Sequence, residues 1–143
     1  MPVHIGKAVW EGSIGQGKGT MTVGSAEASG AYTHASRFEG GQGSNPEELL
    51  AAAHAGCFSM ALSSRLTRAG HPPVRIATTA SVHMTKADAG WHITRIDLET
   101  AVDAPGIDQA AFQECAGDAK VTCPISQALA SNIEVTLQAK LLG

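Results

Sequence analysis

Aromatic residues are scarce in this chain of 143: three Phe, two Trp and one Tyr. Any core must therefore be built mainly from aliphatic side chains. Basic residues are outnumbered, giving a net charge of −3 and a pI near 6.0, so the sequence points to no nucleic acid or other polyanion as a partner. No uninterrupted apolar run reaches the ~20 residues that a membrane span needs. The first residues, MPVHIGKAVWEG, show no basic region followed by an apolar run, and no secretory leader is expected. Cysteines number three, Cys57, Cys115 and Cys123. An odd number argues against a secreted disulfide scaffold and for a cytoplasmic protein with reduced thiols. The six histidines form neither a two-His helix pair nor a His–Cys spacing that reads as zinc, so no metal is expected. The loop EGGQGS at 39–44 is glycine-rich but lacks the lysine and Ser/Thr of a phosphate-binding loop.

The chain is organised around the stretch from Ser44 to Gly70. Asn45 is a good N-cap, Pro46 suits the first helical position, and Glu48 completes a capping-box pattern. Gly70 is a natural C-terminal cap behind Arg65 and Arg68. About 24 residues make a rod of roughly 36 Å. Its middle, Leu49 to Leu62, is apolar or small on every side, which predicts a helix buried all round. So short a chain can cover only part of such a rod, and a second copy is the simplest cover for the rest.

Before that helix, residues 4–11 read as a strand with Ile5, Val9 and Trp10 as core contacts. A turn is expected over 12–18, a strand over 19–23, a small-residue turn over 25–29 and a third strand over 30–38. After it, strands are expected over 74–85 and 91–102, joined by a hairpin at 86–90. A helix over 109–120 capped by Asp108, a short helix after Pro124 and a closing strand over 132–142 complete the chain. The expected fold is one α+β domain over residues 1–143, with antiparallel sheets around a long buried helix.

Cys123 stands before Pro124 as the expected N-cap of a helix, where free N–H groups stabilise a thiolate; simple burial is the alternative reading. Cys57, inside an apolar helix, should have a raised pKa and be inert unless a cation reaches it. Arg37 is a candidate for that cation, and a solvated surface arginine is its plainer role. Glu47 lies ten residues before Cys57, about 15 Å along the helix axis. The two cannot meet within one chain unless the helix breaks. Two such helices packed antiparallel across a two-fold axis would place Glu47 of one chain near Cys57 of the other. Glu47 also serves as a first-turn acid on the helix dipole. Cys115 reads as core packing beside Phe112. His54, one turn before Cys57, makes a Cys–His nucleophile pair conceivable, but without an Asn or Asp nearby to orient it.

Ser36-Arg37-Phe38-Glu39-Gly40, Asn45-Pro46-Glu47-Glu48-Leu49, the run from Ala53 to Leu62 around Cys57, and Cys123-Pro124-Ile125-Ser126-Gln127 together resemble the osmotically inducible protein C family. Trp10-Glu11-Gly12, Gly17-Lys18-Gly19-Thr20 and Pro105-Gly106-Ile107-Asp108 extend the likeness over nearly the whole chain. With the organic hydroperoxide resistance proteins, this family comprises thiol-dependent peroxidases whose two long helices are wrapped by sheets in an intertwined homodimer. The resemblance implies Cys57 as peroxidatic cysteine and Cys123 as resolving cysteine. It also implies Arg37 and Glu47 completing the site across the dimer interface. Arg37 in its Arg-Phe-Glu-Gly segment matches the osmotically inducible branch.

The implied chemistry needs no cofactor beyond an external dithiol reductant, a role that a lipoyl-bearing protein plays in related proteins. The implied substrates are organic hydroperoxides and hydrogen peroxide, with an alkyl or fatty-acyl chain suited to an apolar wall of Leu50, Phe58, Met60 and Ala61. A part in the response to oxidative or osmotic stress follows, with no nucleic acid or membrane partner. Gly56 departs from the family's alanine and costs the helix about 1 kcal/mol. A redox sensor or interaction module using the same disulfide, and an acyl-transfer enzyme using Cys57 with His54, are the alternatives from other classes.

Overall fold

The computed structural model describes residues 3–24 and 28–143. The chain divides into two compact units, Met1–Leu49 and Leu50–Gly143.

The first unit holds a three-stranded antiparallel meander, β1 (Gly6–Glu11), β2 (Lys18–Val23) and β3 (Ala28–Tyr32), in the order β1-β2-β3. The expected turn over 25–29 falls partly outside the described residues; Ala28 and Ser29 belong to β3. Ile5 and Val9, expected in the core, are about 60% exposed in the single chain, because they flank and lie on an edge strand. Trp10 is half-buried and packs on Tyr32 with ring centroids 5.5 Å apart.

The expected third strand over 30–38 is two elements. β3 ends at Tyr32, and a short helix α1 (His34–Phe38) follows. Thr33 caps α1: its Oγ1 accepts from Ser36 N at 3.0 Å, while the Ser36 hydroxyl accepts from Thr33 N at 2.9 Å. This reciprocal cap uses Ser where Glu or Gln is usual, so the β-favouring Ala31-Tyr32-Thr33 masked it. Arg37 therefore stands on a helix.

α2 runs from Pro46 to Arg68. Asn45 Oδ1 accepts from Glu48 N at 2.8 Å, satisfying one orphan donor of the first turn. At the other end Gly70 has φ +87°. His71 N donates to Leu66 O and Gly70 N to Thr67 O, the paired bonds of a Schellman cap. Burial along α2 is one-sided in the single chain, which covers only part of the rod, as its short length led us to expect. His54, Phe58, Leu62 and Leu66, each four residues apart, are fully buried. Ala52, Ala53, Gly56 and Met60 are exposed, Met60 by 78%. The second unit covers one stripe and leaves an apolar face open.

In the second unit β4 (Arg75–Ala87), β5 (Gly90–Asp103) and β6 (Glu134–Leu141) form a sheet in the order β4-β5-β6. β4 and β5 are an antiparallel hairpin with a register shift between His83 and Met84. β6 pairs with β5 in parallel, which corrects the expectation of purely antiparallel sheets. The connection from β5 passes through α3 (Gln109–Thr122) and α4 (Pro124–Leu129). A helical crossover of that kind returns the chain to the end where β5 began. Asp108 caps α3 by accepting from Ala111 N at 2.8 Å. Phe58, Leu62 and Leu66 of α2 pack with Ile96, Leu98, Val102, Phe112, Ala116, Ala119 and Cys123 in one aliphatic core. No described helix is long and apolar enough to cross a membrane.

Candidate active site

Each compact unit assembles one pair of the expected site residues. In the first unit the pair is Arg37 and Glu47. Arg37 Nε donates to Glu47 Oε1 at 2.9 Å and to Oε2 at 3.1 Å, and a terminal guanidinium nitrogen also donates to Oε1. Such a fork fixes the arginine's direction as well as its charge. The guanidinium also lies 5.0 Å from the Phe38 ring centroid, a cation–π distance. The two helices that carry the pair are stitched together. Ser36 Oγ donates to Ser44 O at 2.8 Å, and Asn45 Nδ2 donates to Ser36 O at 3.1 Å. Glu47's carboxylate is only 11% exposed, against 38% for the Arg37 side chain. The arginine keeps an open side while its partner is enclosed.

In the second unit the pair is Cys57 and Cys123. Both are free thiols, Cys57 half-buried on α2 and Cys123 fully buried where α3 ends and α4 begins. Cys123 Sγ donates to Cys57 Sγ across 2.8 Å. The two positions are 66 residues apart in the chain. Burial pushes the Cys57 thiol above the ordinary thiol range, and the bond with Cys123 adds to this. The backbone N–H of Ile125 hydrogen-bonds to Cys57 and pulls the other way.

That N–H corrects the sequence expectation for the helix start. Cys123 is the N-cap of α4, with Pro124 at the first helical position, yet its side chain makes no cap bond. The first turn of α4 serves Cys57 instead.

The hydrogen bond that His54 makes is to Ser126. The ring's Nε2 is bonded to Ser126 Oγ at 2.7 Å, and its buried Nδ1 has no hydrogen-bond partner among the described residues. Burial lowers its pKa, which favours the neutral ring. Sequence reasoning sought an Asn or Asp nearby to orient this histidine. Its partner is a serine 72 residues away. Cys115 is half-buried on α3, and its thiol is raised by burial and by the charges of Glu114 and Asp118, against an opposing pull from Arg65. Of the expected apolar wall, Phe58 is fully buried in the core while Met60 is exposed. Among the described residues no group of three or more His, Cys, Asp or Glu is placed to hold a metal ion.

The fold and the facing thiols define a class: an α+β protein that brings two cysteines from distant segments into direct contact. Residues 39–138 match the family model described as "OsmC-like protein". The chain is 48% identical over 142 residues to the protein named "Peroxiredoxin OsmC" of Escherichia coli (strain K12), covering 98% of this chain and 99% of that one. It is 36% identical over 99 residues to the "Organic hydroperoxide resistance protein" of Xanthomonas axonopodis pv. citri (strain 306), covering 68% of each. Among solved structures, the organic hydroperoxide resistance protein OhrB of Bacillus subtilis superposes with a TM-score of 0.71 at 25% identity, over 95% of this chain and 98% of that one. An OsmC-like protein from Mycoplasma pneumoniae shares the fold with a TM-score of 0.78 at 13% identity, over 99% of each chain. The chain belongs to the OsmC-like protein family. Glu47, Cys57 and Cys123 lie inside the matched segment, and Arg37 stands two residues before it.

Proposed function

We propose that this protein is a thiol peroxidase that reduces organic hydroperoxides, and hydrogen peroxide alongside them, with Cys57 as the attacking sulfur and Cys123 as the resolving one. The observation that carries this reading is the 2.8 Å approach of the two sulfurs. The relatives named for peroxiredoxin activity and for organic hydroperoxide resistance support it.

The Cys57 thiolate attacks the distal peroxide oxygen. An S–O bond forms, the O–O bond breaks, and the alkoxide leaves as an alcohol after taking a proton; Cys57 becomes a sulfenic acid. The Cys123 sulfur then attacks Cys57. An S–S bond forms and the S–O bond breaks, releasing water. An external dithiol, as from a lipoyl-bearing protein, reduces the disulfide and is itself oxidised.

Cys57 by itself is held in the thiol form by burial, so the first step needs a cation. In this reading the working form is a homodimer in the cytoplasm, with one domain from each chain. The exposed small-residue face of α2 packs against its symmetry mate. Arg37 of one chain, held by Glu47, stabilises the Cys57 thiolate of the other. That assignment gives a purpose to an arginine whose fork is fixed while its other side stays open.

The test is stoichiometric oxidation. Reduced protein receives one equivalent of cumene hydroperoxide per chain, and the products are located by peptide mass mapping. A Cys57–Cys123 disulfide formed within seconds, and absent from Cys57→Ser, is the expected result. Thiols that stay reduced, or a disulfide through Cys115, would overturn the reading.

A further inference from the structure

A second side-chain pair lies one turn along each helix from the sulfurs. His54 precedes Cys57 by three residues on α2, and Ser126 follows Cys123 by three at the start of α4. Residues three apart share a helix face. α2 and the α4 start are thus joined on successive turns, once by Cys57 and Cys123 and once by His54 and Ser126. The second joint is the drier one: His54 is fully buried, Ser126 is 4% exposed, and Nε2 and Oγ are 2.7 Å apart.

The helix that depends on this joint cannot hold itself. α4 has six residues, and no side chain caps its first turn. A helix so short is unstable without tertiary contacts. Yet its first residues supply the two groups that reach Cys57, the Cys123 sulfur and the Ile125 N–H. Both must stay in place while Cys57 gains an oxygen, a step that wedges an atom between the sulfurs and breaks their direct contact. The imidazole bond involves neither sulfur. The ring's Nδ1 has no hydrogen-bond partner among the described residues, so the polar attachment of His54 seen here runs through Ser126.

We propose that the His54–Ser126 bond positions the thiol chemistry, holding the first turn of α4 against α2 so that Cys123 and the Ile125 N–H stay directed at Cys57 after its sulfur is oxidised. The proposal rests on the peroxidase reading for the step it serves. His54 and Ser126 are positioning residues: neither touches the peroxide, and neither trades a proton with the sulfurs.

The experiment follows how oxidised Cys57 is partitioned. Reduced protein is given one equivalent of cumene hydroperoxide in the presence of dimedone, which traps sulfenic acid, and peptide masses give the ratio of Cys57 adduct to Cys57–Cys123 disulfide. Ser126→Ala is expected to raise that ratio roughly fivefold, the effect of losing one ordinary hydrogen bond. Ser126→Thr, which keeps the hydroxyl, should restore the wild-type ratio. A plain packing role would make Ala and Thr differ only in melting temperature. Should Ser126→Ala unfold, His54→Phe fills the space without Nε2 and is scored the same way. A wild-type ratio in the folded hydroxyl-free variant overturns the proposal.

Wild-type protein that forms neither adduct nor disulfide would instead overturn the peroxidase reading. Positioning is then read from the pH dependence of Cys57 alkylation by iodoacetamide. Ser126→Ala should move it to higher pH as the Ile125 N–H withdraws, and an unmoved profile rejects the positioning role as well.

Discussion

The backbone N–H of Ile125 is hydrogen-bonded to the sulfur of Cys57. Ile125 is the second residue of α4, so the first turn of a short helix favours the thiolate on a neighbouring long one. Burial is the larger influence and leaves the thiol raised overall. Most of Cys57 in an isolated chain is then protonated at neutral pH, and its rate of attack climbs as pH rises.

The proposed dimer adds Arg37 as the missing pull toward the thiolate. Arg37→Met is therefore expected to shift the pH midpoint of Cys57 alkylation upward by about one unit, with a roughly tenfold loss of rate at neutral pH. Rates of iodoacetamide labelling across pH, read by mass spectrometry, check this. Coincident profiles for the variant and the wild type would mean that Arg37 does not reach the sulfur.

Cys57 and Cys115 both have raised pKa values in the fold. The folded chain therefore holds these protons more tightly than the unfolded chain does. The stability this contributes is fully present below the ordinary thiol range and is lost as pH climbs through the raised values. Urea midpoints should fall on the alkaline side, and Cys115→Ser should fall less steeply than wild type. The same variant should form the Cys57–Cys123 disulfide at the wild-type rate, because Cys123 already has Cys57 as its sulfur partner. Slower disulfide formation in Cys115→Ser would give Cys115 a role that the geometry does not.

What could be read from the sequence was whatever its signals carry locally. Both ends of α2 were legible because Asn45, Pro46 and Gly70 are cap residues whose effect depends only on their neighbours. The hairpin of β4 and β5 was legible from alternation and a short turn. The parallel pairing of β6 was not, since strand direction follows from how the α3–α4 crossover returns. That the single chain covers only part of α2 was legible from its short length, but which stripe it covers, His54–Leu66, was not. The pairing of Cys57 with Cys123 came from the family likeness, and no local spacing implied it. His54 stood out beside Cys57, but its contact with Ser126 had no signal, because a contact spanning 72 residues leaves no periodicity to read.

Gly70 offers a test of the cap that ends α2. Its φ of +87° lies in the left-handed region, and an added Cβ would meet nothing within 4 Å. The cost of a side chain there is backbone strain without a clash. Gly70→Ala should lower stability by about 1 kcal/mol, and Gly70→Asn by less, since Asn tolerates this region. Urea denaturation followed by circular dichroism checks the ranking. Equal stability of all three proteins would show that the cap is not held in solution.

Gly19 makes the opposite case, where space decides. It lies on β2 directly between Trp10 of β1 and Tyr32 of β3, and the two rings close over it at 5.5 Å between centroids. An added Cβ would strike the Tyr32 ring and come within 2.8 Å of Trp10 Cε3. The glycine lets the aromatic pair cover the middle strand, and Trp10 is anchored in that pose by its Nε1 bond to Gly12 O at 2.9 Å. Gly19→Ala should cost about 1–3 kcal/mol, the usual range for overpacking. A double-mutant cycle with Tyr32→Ala separates the clash from any general intolerance of the strand. If the ring is what the methyl meets, Gly19→Ala should cost markedly less once Tyr32 is truncated. A cost that stays the same in both backgrounds would place the strain in the strand's backbone and not in the Trp10–Tyr32 cover.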